Sequence, residues 1–109
     1  KRGKSFMERI EKLKAFLAQN PADSFVQHAL ALEYVKLNND AAAKKEWQAL
    51  LQRDESYVGS YYHLAKLLER QGETETAIAT YEKGMAVAKG AGDNHAYNEL
   101  QMAYEDLVY

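Results

Sequence analysis

At 109 residues the chain has the length of one domain that buries roughly two thirds of its unfolded surface. A composition of 47% hydrophobic and 28% charged residues argues against disorder, and no run approaches the ~20 apolar residues of a membrane-spanning helix. The net charge of −2 lacks the basic excess of an electrostatic nucleic-acid binder, and the absence of cysteine excludes disulfide scaffolds, thiolate nucleophiles and Cys-based zinc motifs. One proline and six glycines are too few for the turns of an all-β chain, so an all-α fold is predicted.

The basic start, Lys1-Arg2-Gly3-Lys4-Ser5, has no apolar stretch behind it and does not read as a secretory leader, which points to a cytoplasmic protein. Ser5-Phe6-Met7-Glu8 has the S-x-x-E pattern of a capping box. Behind it Phe6, Ile10, Leu13 and Leu17 fall on one helical face, predicting a helix over 6–20 that Asn20-Pro21 ends. A second helix follows Asp23 and runs to about Leu37. Asn38-Asn39-Asp40 is its exit, since Asn tolerates the left-handed conformation that closes a helix, and Asp40 can cap the next one. The third spans about Ala41 to Arg53, and Asp54-Glu55-Ser56 supplies a break with capping residues. The fourth covers about Tyr57 to Gln71 and stops at Gly72, and Thr74 can cap a fifth that reaches about Lys89. Gly90-Ala91-Gly92-Asp93 is the strongest breaker, and a sixth helix occupies about Asn94 to Val108. Short connections make neighbouring helices antiparallel.

Superposing the chain on itself 34 positions along reveals a repeat. Leu30-Ala31 falls on Leu64-Ala65, Tyr34 on Leu68, Asn38 on Gly72, Ala43 on Ala77 and Trp47 on Tyr81. Each pairing keeps a physical role. Ala31/Ala65 and Ala43/Ala77 let helices approach closely, Trp47/Tyr81 fill the space between them, and Asn38/Gly72 make the turn. The aromatic residues Tyr34, Trp47, Tyr57, Tyr61 and Tyr81 are therefore expected to be packing.

These residues resemble the tetratricopeptide repeat family. Its 34-residue helix–turn–helix pattern is matched by Tyr61…Leu64-Ala65…Leu68…Gly72…Ala77-Ile78…Tyr81…Gly84 and by Leu30-Ala31…Tyr34…Asn38…Ala43…Trp47. Upstream, Ile10…Leu13…Ala15-Phe16-Leu17…Asn20-Pro21 is similar to the second helix of a preceding repeat, with Arg9 where a small alanine is expected. Downstream, Tyr97…Leu100…Tyr104 echoes the first helix, with Gln101 at the small position. The resemblance implies one domain over 1–109, a right-handed α-α superhelix of six antiparallel helices. Within it, a capping helix over 6–20 precedes repeats at 23–55 and 57–90, and a second capping helix covers 94–108. Tyr97, Leu100, Tyr104 and Leu107 form the apolar stripe of that last helix, opposite His95, Asn98, Gln101, Glu105 and Asp106.

Chemistry finds little support in the residues. Ser5, Ser56 and Thr74 read as caps, neither Ser24 nor Ser60 lies in a G-x-S-x-G turn, and Gly90-Ala91-Gly92 lacks the lysine of a phosphate loop. His28, His63 and His95 match no short metal-ligand spacing. No enzyme activity, metal or cofactor is expected. The resemblance instead implies a concave groove of first helices that binds a peptide or partner protein. Its groove positions here are Phe25, His28, Leu32, Tyr62, His63, Lys66, Arg70, His95, Asn98 and Met102. Such a surface suits a segment with an apolar anchor and an acidic group, provided that Lys66 and Arg70 are not spent on Glu69 or Glu73.

Some members of the family hold chaperone C-terminal carboxylates in a clamp of lysine, asparagine and arginine. The corresponding positions here are His28 and Leu32, His63, and His95 and Glu99, so binding of that kind is not expected at neutral pH. Three titrating histidines would favour an acidic peptide below about pH 6.5. Protein–protein recognition in the groove is thus the predicted function, with no nucleic acid and no membrane as partner. Homodimerisation through the end helices or the tyrosine-rich surface is the alternative. A single-stranded-RNA solenoid ranks lower, because only Lys66 and Arg70 would supply its basic groove.

Overall fold

The computed structural model describes the backbone of residues 2–109 and the side chains of residues 7–109. Among the described residues there are six helices and no strand: α1 (Arg2–Gln19), α2 (Ser24–Lys36), α3 (Asp40–Arg53), α4 (Gly59–Arg70), α5 (Thr74–Gly90) and α6 (Asn94–Val108). None is long and apolar enough to cross a membrane. The chain divides into two compact units, residues 1–54 with α1 to α3 and residues 55–109 with α4 to α6.

Three helices end in the same way. Asn38, Gly72 and Gly92 take φ values of 59°, 77° and 72°, in the left-handed region. At each, two backbone bonds close the end: Asn39 N–H to Tyr34 O and Asn38 N–H to Val35 O, then Glu73 to Leu68 and Gly72 to Glu69, then Asp93 to Ala88 and Gly92 to Lys89. This double closure satisfies the last carbonyls and reverses the chain. Asn38 and Gly72 carry it 34 residues apart, so the repeat is a repeat of backbone geometry as well as of sequence.

Helix starts follow their capping oxygens, with differences. The Asp23 and Asp93 carboxylates accept from Val26 N–H and Ala96 N–H at 3.0 Å and so start α2 and α6. At α3 the cap is Asn39, accepting from Ala42 N–H at 3.2 Å, and Asp40 lies in the first turn instead. Helix α5 begins at Thr74 after Glu73, with no side-chain cap. Helix α4 starts after Val58, also without one, two residues beyond Ser56. Ser5 lies within α1 and is not its N-cap; the side chains of the predicted capping serine and of Phe6 lie outside the described residues.

In the first unit α2 packs on both α1 and α3. Leu30, Ala31, Ala43, Trp47 and Leu50 are buried there, and the two alanines expose no surface, which is what brings α2 and α3 together. Trp47 is 1% exposed, and its indole N–H donates to His28 Nδ1 at 3.0 Å. A polar chain joins the same helices. Arg53 donates to Gln27 Oε1 at 2.7 Å and to Ser24 Oγ at 2.8 Å, Ser24 donates to Asp54 at 2.7 Å, and Gln27 Nε2 donates to Glu46 at 3.1 Å. Arg9, the residue that breaks the small-residue pattern, has a structural reason. Its guanidinium reaches from α1 to the buried Glu33 of α2 at 3.2 Å, where Lys36 also pairs at 3.2 Å.

In the second unit α5 packs on α4 and on α6. Tyr61, Leu64, Ala65, Leu67, Leu68, Ala77, Tyr81, Ala88 and Leu100 form its core. The Tyr61 hydroxyl donates to Glu55 O at 2.6 Å, and the Tyr81 hydroxyl donates to Glu69. Burial, followed by the Glu69 carboxylate, pushes the Tyr81 phenol far above its ordinary range. Of the five aromatics expected to pack, Trp47, Tyr61 and Tyr81 are buried, and Tyr34 and Tyr57 are half-buried.

Candidate functional site

Helix α4 has two faces. Ser60, Tyr61, Leu64, Ala65, Leu67 and Leu68 turn inward, while Tyr62, His63 and Lys66 are only half-buried and Arg70 is exposed. Helix α6 turns Leu100 and Ala103 inward. Since α6 rests chiefly on α5 and meets α4 only marginally, a cleft stays open between α4 and α6. It has a volume of about 180 Å³ and is lined by Tyr62 and Lys66 on one side and by Glu99, Met102, Ala103 and Asp106 on the other. Met102 is 68% exposed at its edge. An aromatic ring and a thioether offered to solvent in a concavity make an adaptable apolar contact surface.

The charges around this cleft are arranged differently from what the sequence suggested. Lys66 Nζ lies 3.7 Å from Glu69, so its charge is already balanced on its own helix. Glu99 and Asp106 stand two turns apart on α6 and line the opposite wall. The cleft is therefore net acidic, and a partner's acidic group would meet repulsion there.

Of the ten predicted groove residues, Tyr62, Lys66 and Met102 meet in this cleft, and His63 flanks it with its ring edge-on to Tyr62 at 5.6 Å. Arg70, His95 and Asn98 are exposed and do not line it. Phe25, His28 and Leu32 belong to α2 of the first unit, where Phe25 is 73% exposed and Leu32 half-buried. Glu99, placed by the sequence at a clamp position, lines the cleft, whereas Ala103 and Asp106 were not counted as groove residues. The spacing of Asp106 from Met102 by +4 was the available signal.

Two of the histidines are constrained within their own units. His28 Nδ1 accepts from Trp47, which can only donate, so a doubly protonated ring would forfeit that bond. Burial lowers the His63 pKa below its ordinary value of 6.5, with Glu99 pulling partly the other way. The folded chain thus takes up that proton less readily than the unfolded chain. The neutral ring's contribution to stability is full above about pH 6.5 and is lost as the pH falls through the depressed folded value. Thermal melts of His63→Gln are expected to fall less between pH 7 and pH 5 than those of the parent, and parallel profiles would show that the ring is not protected. Among the described residues no three His, Asp or Glu side chains gather in a way that could hold a metal ion.

A second hollow, of about 320 Å³, lies in the first unit between α1, α2 and α3, lined by Lys14, Leu17, Ala18, Pro21, Gln27, Leu30 and Glu46. Its polar groups are engaged within the fold: Gln27 bonds Glu46, and Lys14 lies 3.9 Å from Glu11.

Helix pairs that close with the same left-handed turn at a 34-residue interval, small residues beneath bulky ones, define a helical-repeat protein. A family model described as the tetratricopeptide repeat matches residues 58–89, the α4–α5 pair. The fold is similar to the solution structure of a tetratricopeptide repeat domain protein from Salinibacter ruber, at 41% identity and a TM-score of 0.78 over 81% of this chain and 89% of that one. It is also similar to the solution structure of a protein from Bordetella parapertussis, at 31% identity and a TM-score of 0.77 over 90% of this chain and 85% of that one. The chain belongs to the tetratricopeptide repeat family, an all-α repeat fold that serves as a protein-interaction scaffold. An uncharacterized protein of Haemophilus influenzae is 35% identical over 66 residues, 61% of this chain, which spans only 37% of that relative's length.

Proposed function

We propose that the chain is a protein-interaction module that receives a polypeptide segment of its partner in the cleft between α4 and α6. The observation that carries this reading is an exposed, concave, partly apolar cleft with no chemistry built around it: Tyr62 and Met102 present contact area, while the nearby charged groups are carboxylates and a balanced lysine. At about 180 Å³ the cleft is smaller than the ~300 Å³ at which small-molecule sites begin, and it suits one protruding side chain of a partner. Phe25, exposed on α2 of the first unit, is a second candidate contact.

Capture of partners from the protein's own cell extract, comparing the parent with Met102→Glu and with Tyr62→Ala, tests the proposal. Both side chains lie outside the core, so the variants should fold. The proposal expects proteins retained by the parent to be lost from both. Retention unchanged by either substitution would rule the cleft out.

A further inference from the structure

Taking the cleft as the docking site of the interaction module, as proposed above, we infer that it selects a segment carrying a lysine or arginine beside an apolar anchor. The lining sets one cation against two anions, and that cation is spent: Lys66 pairs with Glu69 at 3.7 Å. Glu99 and Asp106 make no hydrogen bond or ion pair among the described residues, and they bracket Met102 and Ala103 along α6. They stand seven positions apart, about 10 Å along the helix axis, so both lie within reach of side chains flanking a single anchor. Across the gap Tyr62 supplies an aromatic face to which a cation is also attracted. His63, the other nitrogen base beside Tyr62, has its protonated form disfavoured by burial, with Glu99 acting partly the other way. Arg70, one turn beyond Lys66 on α4, does not line the cleft.

An anchor entering between Tyr62 and Met102 fills the apolar part. A flanking cation then meets Glu99 or Asp106 in a partly desolvated setting, where charge complementarity fixes register and rejects acidic competitors. The selected class is therefore a basic-apolar segment, the reverse of the acidic partner group suggested by Lys66 and Arg70 in the sequence.

Three acetylated, amidated and fluorescently labelled octapeptides test this. They share one Leu-Leu anchor, flanked on both sides by Lys, by Gln or by Glu. Affinities are read by fluorescence polarisation, and the contact is located by chemical-shift changes at Tyr62 and Met102. The expected order is Lys over Gln over Glu, with about tenfold between the first two for two partly exposed ion pairs. That advantage should shrink with added salt and vanish in the double variant Glu99→Gln/Asp106→Gln, whose fold is checked by its melt. Peptides that bind at Tyr62 and Met102 without preferring Lys, or that keep the preference in the double variant, would overturn the cationic selection and leave the docking site standing. Binding that shifts neither Tyr62 nor Met102, or no binding by any of the three, would overturn both.

Discussion

Trp47→Ala should destabilise the first unit by about 3–5 kcal/mol, a large share of the ~5–15 kcal/mol that holds a domain of this size together. The indole is 1% exposed and reaches from α3 to His28 of α2, so its removal leaves a void in the packing of this pair, whose helices are tied by the Asn38 turn. The loss also strips His28 Nδ1 of its donor. Since Trp47 is the sole tryptophan, the transition is best followed by circular dichroism in urea. Trp47→Phe should cost less, because much of the volume stays, although part of the ring and the N–H are lost. An unchanged midpoint in Trp47→Ala would mean that the α2–α3 pair is not held by this packing.

Gly84→Val is the second severe substitution. Gly84 is buried on α5 where α4 and α6 both press on it. A Cβ there would come within 2.7 Å of Tyr61 Cβ and 3.1 Å of Leu100 Cδ1. Tyr61 cannot swing aside easily, because that contact is at its own Cβ and its hydroxyl is held by Glu55 O at 2.6 Å. Helix α5 must instead move off its neighbours, at a cost of about 1–3 kcal/mol or more. Gly84→Ala meets the same contact but recovers up to about 1 kcal/mol of helix propensity, so it should fall between the parent and the valine variant. Urea midpoints in the order parent, Ala, Val would bear this out; an alanine variant more stable than the parent would show that the close approach is absent. The same substitution should weaken ligand binding at the cleft, because α4 and α6 both rest on α5.

The architecture could be read from the residues because each size class does one thing. Ala31, Ala65, Ala43 and Ala77 recur where helices touch, Trp47 and Tyr81 where volume is needed, and Asn38 and Gly72 where φ must be positive. Helix starts were harder to place. Asn39 and Asp40 are both good caps, and the left-handed turn at Asn38 decides between them: it directs Asn39 O toward Ala43 N–H and so starts the helix there. At α5 the Gly72 turn likewise gives Glu73 O to Ala77 N–H, placing Thr74 inside the helix. Helix α1 reads past its apparent capping box, because helical backbone continues upstream of Ser5.

The candidate site was legible only by half. Tyr62, Lys66, Met102 and Glu99 follow from repeat position, but the net sign of the cleft does not. That depends on which carboxylate Lys66 reaches, and on the rotation of α6 that brings Asp106 toward α4 as well. Neither is fixed by local spacing. Arg9 shows the same limit: its departure from the small-residue pattern was visible, whereas its partner Glu33, 24 residues away, was not.

The most direct test of the account uses the three methionines, Met7, Met85 and Met102, one on each of α1, α5 and α6. With their methyl groups labelled with carbon-13, a captured partner or the Lys-flanked peptide is titrated into the protein and the three resonances are followed. The account predicts that the Met102 signal shifts and saturates with the ligand, while Met7 and Met85 stay in place. A bound state in which Met102 keeps its free position would contradict it.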